Sequence, residues 1–375
     1  MNLLALAAPG VLTGSRTARD TFAAALAAHR VPGRLVLTTS HEHLRAEATA
    51  ADGEFLLVTG DDTPVDDLLA GIEATVVRVD LDARDVDRST RVRRHVRWRG
   101  TAGLRFAVDD WVHERTAPAR RVPYGPHPDQ YAHLRTPDPA DHGPGPFPVA
   151  VLVHGGYWRS RWENDLMHAV AADLTARGFA TWNLEYRRPD LHGWDATTAD
   201  VDAGFGVLHS APAPLDLTRV VTLGHSAGGQ LVTRLAADRA SSELRPALTV
   251  SLAGCLDLHS IHARGLSEHA VAAALGGPPQ LIPEVYAAAS PMSRLPVGLP
   301  LAVVCCRGDD PDLLDASRRF ADAAAAAGDD VRVVEDDGDH FSVIDPAAPV
   351  WARVVDLLDR VRAAPPADPL VDVQP

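Results

Sequence analysis

The sequence predicts an α/β protein built from two consecutive parallel-sheet domains. Short apolar runs that fit buried strands alternate with segments of helical periodicity along most of the 375 residues. A proline-rich stretch that begins near residue 117 interrupts the alternation and marks a domain boundary. In the second half, a Gly-x-Ser-x-Gly pattern lies between a strand and a helix, which indicates that the larger domain carries the chemistry.

The first domain is predicted to span residues 1–116 and to hold a small parallel sheet covered by helices. Its predicted strands are 2–8, 34–39, 54–58 and 75–79, and its predicted helices are 18–30, 64–72 and 103–113. The segment 18–30 has apolar residues at helical spacing, and the alternation of strands and helices continues from there.

The second domain is predicted to span residues 117–365, followed by a flexible tail at 366–375. It opens with an expected edge strand at 130–135. The further predicted strands are 149–153, 180–185, 219–223, 248–252, 301–306 and 331–335. The predicted helices between and after them are 162–177, 199–208, 229–238, 311–327 and 350–363.

Composition excludes several classes of function. The net charge of −14 argues against nucleic acid or an anionic membrane as a partner. All 36 basic residues are arginine, which excludes Schiff-base chemistry, covalently held pyridoxal phosphate and a P-loop lysine. Three cysteines cannot build a disulfide framework, and neither a signal-peptide pattern nor a 20-residue apolar span is visible. The expected location is therefore cytoplasmic.

Ser226 is the predicted nucleophile. It is the central residue of Gly224-His225-Ser226-Ala227-Gly228, which follows the strand VVTLG and precedes the helix GQLVTRLAAD. A nucleophilic serine in this context lies on a strained strand-to-helix turn, where glycines are needed because the neighbouring positions are crowded. The positive end of the following helix points at the site.

Upstream of this turn, the sequence HGGYW begins with His154 directly after the strand VAVLV. Acyl transfer places negative charge on the former carbonyl oxygen, and backbone N–H groups must already point at that oxygen. Gly156, Tyr157 and Ala227 are the predicted donors of this oxyanion hole. His154 is expected to hold the loop by hydrogen bonds rather than to transfer protons.

His340 is the predicted base because it follows the last strand and precedes the terminal helix, and the chain order of nucleophile, acid and histidine fits the α/β-hydrolase fold. The acid is expected after the strand LAVVCC, where Asp309 and Asp310 are both available. The acid commonly lies eight residues before a serine that opens the next helix, which selects Asp309 against Ser317. The Asp-Pro pair at 310–311 favours Asp310, so Asp309 is the expectation and Asp310 the alternative.

The motifs HGGYWR, NLEYRRP, GHSAGGQL, SLAGCLDL and GDHFSVIDP together resemble the kynurenine formamidase (arylformamidase) branch of α/β-hydrolases over about residues 122–362. The resemblance implies cleavage of a small-molecule ester or amide, with N-formylkynurenine as the family substrate and no metal or organic cofactor. Trp158, Arg159 and Trp162 are expected to line the substrate entrance, with an aromatic packing cluster as the alternative. A triad-dependent cyclase or acyl-transfer enzyme of secondary metabolism is the alternative reaction.

The first 115 residues resemble type II 3-dehydroquinase, a small flavodoxin-like fold, through LTGSR, TTSHEHL, VVRVDLDARDVDR and GTAGLRFAVDDW. Arg16 falls on the family's catalytic arginine. The tyrosine that should follow it is absent, and Asp80 replaces the substrate-binding histidine. The resemblance therefore implies a non-catalytic domain that serves in homo-oligomer assembly or ligand sensing. The arginine-rich run at 88–99 is expected to form an anion site or interface, or else a solvated basic face.

Overall fold

A computed structural model describes residues 2–363 of the chain, apart from 52, 61–63, 83–86 and 88. The chain divides into two compact units, Met1–Pro118 and Ala119–Pro375, here called unit 1 and unit 2. The tail predicted at 366–375 lies outside the described residues. Within the described part, every helix is too short or too polar to span a bilayer.

Unit 1 contains five strands and four α-helices in its described part. The strands are β1 (Leu3–Ala7), β2 (Gly33–Leu37), β3 (Phe55–Thr59), β4 (Val76–Asp80) and β5 (Val92–Arg97). The helices are α1 (Arg16–His29), α2 (His41–Thr49), α3 (Val65–Leu68) and α4 (Gly103–Thr116).

All neighbouring strands of unit 1 pair in parallel, in the order β2-β1-β3-β4-β5. This is the strand order of flavodoxin-like folds. β5 was not predicted, because four of its six residues are arginine or histidine. α2, whose N-cap Ser40 accepts a hydrogen bond from the backbone N–H of His43, was not predicted either.

The arginine-rich segment of unit 1 is largely internal, so the predicted solvated basic face is wrong. The side chains of Arg94, Arg97 and Arg99 are buried. Arg94 contacts Asp110 at 3.2 Å, and Arg93 contacts the same carboxylate at 2.8 Å. These ion pairs explain why a strand can carry so many arginines, since a buried charge is tolerated only when it is paired.

Asp80 ends β4 inside a second polar cluster of unit 1. Its carboxylate is buried and lies 2.6 Å from both Arg78 Nε and His95 Nε2, and it accepts a hydrogen bond from the Thr59 hydroxyl. Burial alone would raise the pKa of Asp80, but the hydrogen bonds from His95, Thr59 and Arg78 outweigh burial and lower it. The position at which the resemblance expects a substrate-binding histidine is therefore occupied by a satisfied ion-pair network.

The described part of unit 2 contains eight strands and ten α-helices. The strands are β6 (Arg120–Pro123), β7 (Tyr131–Arg135), β8 (Phe147–Val153), β9 (Ala180–Leu184), β10 (Leu215–His225), β11 (Leu248–Leu252), β12 (Leu301–Cys306) and β13 (Val331–Asp336). The helices are α5 (Pro139–His142), α6 (His168–Ala176), α7 (Pro189–His192), α8 (Trp194–Gly206), α9 (Ala227–Arg239), α10 (Leu258–Ala263), α11 (Leu266–Leu275), α12 (Pro283–Ala289), α13 (Pro311–Ala326) and α14 (Pro349–Ala363).

Unit 2 has the α/β-hydrolase fold, as the sequence predicts. Its strands form one sheet in the order β13-β12-β11-β10-β8-β9-β7-β6. The six strands from β13 to β9 pair in parallel, while β7 and β6 are antiparallel to their neighbours. The segment predicted as the edge strand is β7, but it is not at the edge, because β6 pairs with its outer side. β6 was not predicted because its sequence surroundings are rich in proline. Successive β8 residues alternate between two large apolar clusters, so both faces of the sheet are buried.

Candidate active site

The predicted catalytic residues of unit 2 follow neighbouring parallel strands. Ser226 comes directly after β10, and His154 comes directly after β8. The predicted acid follows β12 and the predicted base follows β13. Because the carboxyl ends of parallel strands lie at one edge of a sheet, residues far apart in sequence meet there.

Ser226 lies on a strained turn between β10 and α9. Its backbone has φ 54° and ψ −116°, a region that a non-glycine residue seldom adopts. A Cβ on Gly224 would lie 2.1 Å from the carbonyl oxygen of Gly228, and a Cβ on Gly228 would lie 2.1 Å from the carbonyl oxygen of Val153. Any side chain at either position would therefore collide with the backbone, so both positions require glycine. The Ser226 N–H donates to the Leu252 carbonyl at 2.8 Å, which fixes the turn against β11.

His225, the residue before the nucleophile, connects this turn to the loop of the predicted base. Its buried ring donates from Nε2 to the backbone carbonyl of His340 at 2.9 Å. Burial and, to a smaller extent, the nearby His340 ring lower the pKa of His225 to about 3, so the ring is neutral at ordinary pH. Sequence reasoning missed this contact because it joins positions 115 residues apart.

The loop after β8, which carries two of the predicted oxyanion donors, turns sharply. Gly156, Tyr157 and Trp158 have φ values of 114°, 50° and 57°. A Cβ on Gly156 would lie 2.3 Å from the Trp162 ring, so both the backbone angle and the available space require glycine there. Ala227 is the first residue of α9, and N–H groups of a first helical turn have no partner within the helix. The three predicted oxyanion donors thus lie on two turns at the same sheet edge.

His154 holds this loop, in line with its expected role. Its buried ring contacts the Gly155 carbonyl at 2.9 Å through Nδ1 and the Glu185 carboxylate at 3.2 Å through Nε2. Tyr186 donates its hydroxyl to the His154 carbonyl at 2.9 Å. Burial alone would raise the pKa of Glu185, but Arg188 and His154 lower it to about 2. Glu185, Tyr186 and Arg188 belong to the motif NLEYRRP, which the sequence analysis used only for the family resemblance.

Of the two predicted acids, Asp309 faces the histidine. Its buried carboxylate lies 2.9 and 3.0 Å from Nδ1 of His340, and it also accepts the Asp310 N–H at 2.6 Å. The Asp310 side chain caps α13 instead, where it accepts the Asp312 N–H at 2.8 Å. Asp309 therefore occupies the position from which a carboxylate can orient an imidazole, and Asp310 has a structural partner of its own.

Cys255 is a buried neighbour of the nucleophile that the sequence analysis did not place in the site. Its backbone N–H donates to the Ser226 carbonyl at 3.1 Å. Burial raises the pKa of the Cys255 thiol to about 12, although a hydrogen bond with the Ser226 side chain lowers it in part. The thiol is therefore protonated at ordinary pH and does not compete with the serine as a nucleophile.

The three expected substrate contacts have different environments. Trp158 is only 1% exposed and donates its indole N–H to Gln230 at 3.0 Å, so it belongs to the aromatic packing cluster rather than to the entrance. Arg159 donates to the Ser267 carbonyl at 2.6 Å, which ties it to α11. Trp162 is half-buried and packs over Gly156.

A cavity of about 260 Å³ opens beside the Asp309–His340 pair. Its lining residues are Tyr157, Gly308, Asp309, Asp310, Leu313, Asp339, His340 and Phe341. The wall thus combines three rings and a leucine with three carboxylates. Such a cavity accommodates a small apolar group and repels a negatively charged one.

Comparison with protein families gives a match to the BD-FAE family model over residues 139–310. The matched segment includes the predicted oxyanion loop, Ser226 and Asp309, and it ends before His340. A comparison with curated proteins gives no match.

Solved structures share the fold of unit 2. A bifunctional GH43-CE protein of Bacteroides eggerthii is 18% identical with a TM-score of 0.56, covers 65% of this chain, and is itself covered to only 35%. Esterase B from Lactobacillus rhamnosis HN001 is 19% identical with a TM-score of 0.54, and the match covers 68% of this chain and 91% of that one. A bacterial heroin esterase is 21% identical with a TM-score of 0.54, and the coverages are 65% and 83%.

Proposed function

We propose that the protein is a serine hydrolase that cleaves a carboxylic ester or an N-formyl or N-acyl amide through an acyl-enzyme. The observation that carries this proposal is the buried Asp309 carboxylate 2.9 Å from His340 Nδ1, at the same sheet edge as the strained turn of Ser226. A buried carboxylate on Nδ1 leaves Nε2 as the free base nitrogen. The fold likeness to proteins named as esterases supports the same reaction class.

In the proposed reaction, the Ser226 hydroxyl attacks the substrate carbonyl while His340 accepts its proton. The resulting oxyanion is stabilised by the N–H groups of Gly156, Tyr157 and Ala227. His340 then donates the proton to the leaving alcohol or amine as the C–O or C–N bond breaks. Water, deprotonated by the same imidazole, attacks the acyl-enzyme and releases the acid and the serine. Asp309 keeps its charge throughout and stabilises the imidazolium.

The arylformamidase resemblance makes a small acyl group, such as formyl, the specific proposal. The size of the cavity supports a short acyl chain, because 260 Å³ is below the usual range of roughly 300–1,000 Å³ for pockets that hold drug-sized ligands. Neither a metal nor an organic cofactor is needed for the proposed steps, since each proton transfer has a residue assigned to it.

A substrate series tests the proposal. We expect purified protein to release formate from N-formylkynurenine and to hydrolyse p-nitrophenyl acetate faster than p-nitrophenyl octanoate, because the cavity accepts short chains. Formate and nitrophenol release would be measured beside Ser226→Ala, which reports background hydrolysis. Hydrolysis of both esters without any formate release would support the proposed esterase activity and reject the arylformamidase-like specificity. Turnover that persists in Ser226→Ala would reject the serine mechanism itself.

We further propose that unit 1 is non-catalytic and serves in homo-oligomer assembly. The sequence of residues 1–118 contains no tyrosine, the residue that acts as base in type II dehydroquinases, and Arg16 is exposed at the start of α1. We expect no dehydration of 3-dehydroquinate and a light-scattering mass of a dimer or larger. A monomeric full-length chain would reject assembly as the role of unit 1.

A further inference from the structure

Two histidines and an aspartate of unit 2 meet in a place that the proposed hydrolysis does not use. His127 and Asp129 lie on the loop between β6 and β7, and His192 ends α7. One potential ligand atom from each residue lies within 4.8 Å of the other two. The two imidazole rings are 4.7 Å apart between centroids and meet edge to face at 76°. All three side chains are half-buried.

The polar atoms of this cluster are only weakly engaged elsewhere. The His192 ring makes no hydrogen bond within the described residues. His127 Nδ1 accepts the Asp129 N–H at 3.1 Å, and the Asp129 carboxylate accepts from Arg188 at 3.2 Å. Both contacts are at the long end of the hydrogen-bond range.

We propose that His127, Asp129 and His192 bind a divalent transition-metal ion of the Zn²⁺ class. Two imidazoles and one carboxylate are ligands that Zn²⁺, Co²⁺ and Ni²⁺ prefer, whereas Ca²⁺ and Mg²⁺ prefer an all-oxygen set. Metal–nitrogen bonds of about 2.0–2.1 Å place two ligand atoms roughly 3–4 Å apart on one ion. The observed spacing of up to 4.8 Å closes to that value by small side-chain rotations. Water would complete the coordination.

The surroundings of the site suit a cation. The loop is held by Gln130, whose side chain accepts the His127 N–H at 3.0 Å and donates to Asp200 at 2.7 Å. Arg188 competes for the Asp129 carboxylate at 3.2 Å, but its guanidinium also pairs with the buried Glu185. When Asp129 ligates an ion, Arg188 keeps that second carboxylate, so no buried charge is left unpaired.

The site is separate from Ser226 but adjoins the support of the oxyanion loop. Glu185, which pairs with Arg188, is also the residue that holds His154. The proposed ion would therefore connect the β6–β7 loop to α7, next to the residues that hold the oxyanion loop. Sequence spacing did not reveal the cluster, because His192 lies more than 60 residues beyond Asp129.

A cobalt titration tests the proposal with full-length protein treated beforehand with EDTA. We expect Co²⁺ to bind one ion per chain with visible d–d absorption, and Zn²⁺ to displace it. Removing one ligand, as His192→Ala or His127→Ala, should weaken Co²⁺ binding by about 100-fold or more. The matched control is His209→Ala, because His209 is an exposed histidine of the same unit and should leave the affinity unchanged.

Thermal unfolding provides the second measurement and a check on folding. Zn²⁺ should raise the unfolding midpoint of the wild type and of His209→Ala, because an ion that binds only the folded state stabilises it. Zn²⁺ should not raise the midpoint of His192→Ala, whose midpoint in EDTA should equal that of the wild type. Equal Co²⁺ affinity in His192→Ala and His209→Ala, or absence of d–d bands in the wild type, would overturn the proposal.

Discussion

Replacement of Ser226 by alanine is expected to lower kcat for p-nitrophenyl acetate by about 10⁴–10⁶-fold, because members of a catalytic triad act as a unit. The alanine keeps the Cβ and the unusual backbone angles of the turn, so the change removes only the hydroxyl. Steady-state ester hydrolysis measures the effect.

Two controls separate loss of the nucleophile from loss of the fold. The thermal unfolding midpoint of Ser226→Ala should remain close to that of the wild type. Ser210→Ala, at an exposed serine whose hydroxyl donates to the Val207 carbonyl, should keep full activity. A Ser226→Ala protein that folds and retains more than a hundredth of wild-type turnover would contradict the assignment of the nucleophile.

Asp309→Asn is expected to lower kcat by about 10⁴-fold, and Asp310→Asn by less than about threefold. The Asp309 carboxylate contacts His340 Nδ1 at 2.9 Å, so an amide in its place would stabilise the wrong tautomer and would not balance the imidazolium. Asp310 caps α13, and asparagine is an equally good N-cap, so the second variant should keep its stability as well.

The pair forms a matched comparison, because each variant exchanges one carboxylate for an amide at adjacent positions. Kinetic constants for one ester, together with unfolding midpoints, are sufficient to compare them. A larger kcat defect in Asp310→Asn would reverse the assignment of the acid. Small and equal defects would place the acid elsewhere in the chain.

Local patterns predicted the central strands of unit 2 well because those strands are buried on both faces. β12, for example, is a continuous apolar run, and β11 is buried at all five of its positions. The helices α10, α11 and α12 were not predicted; they lie in the long segment that connects β11 to β12. Three consecutive residues of α11, Ser267 to His269, have left-handed backbone angles, which no helical period can encode.

The site was predicted as far as it depends on local context. Ser226 and His340 could be named because each follows a predicted strand at the sheet edge, whereas spacing left Asp309 and Asp310 open. The direction in which each aspartate side chain points decides which of them contacts His340, and that direction depends on how the loop after β12 packs. The burial of Trp158 against Gln230 likewise depends on contacts 72 residues apart, which the sequence pattern does not carry.

Covalent labelling of the nucleophile tests the central claim, an acyl-enzyme at Ser226, most directly. A fluorophosphonate phosphorylates an activated serine and releases fluoride, and peptide mass spectrometry identifies the modified residue. We expect one adduct per chain, on the peptide that contains Ser226, and none in Ser226→Ala; Asp309→Asn should react much more slowly. An adduct at another residue, or labelling that persists in Ser226→Ala, would contradict the account.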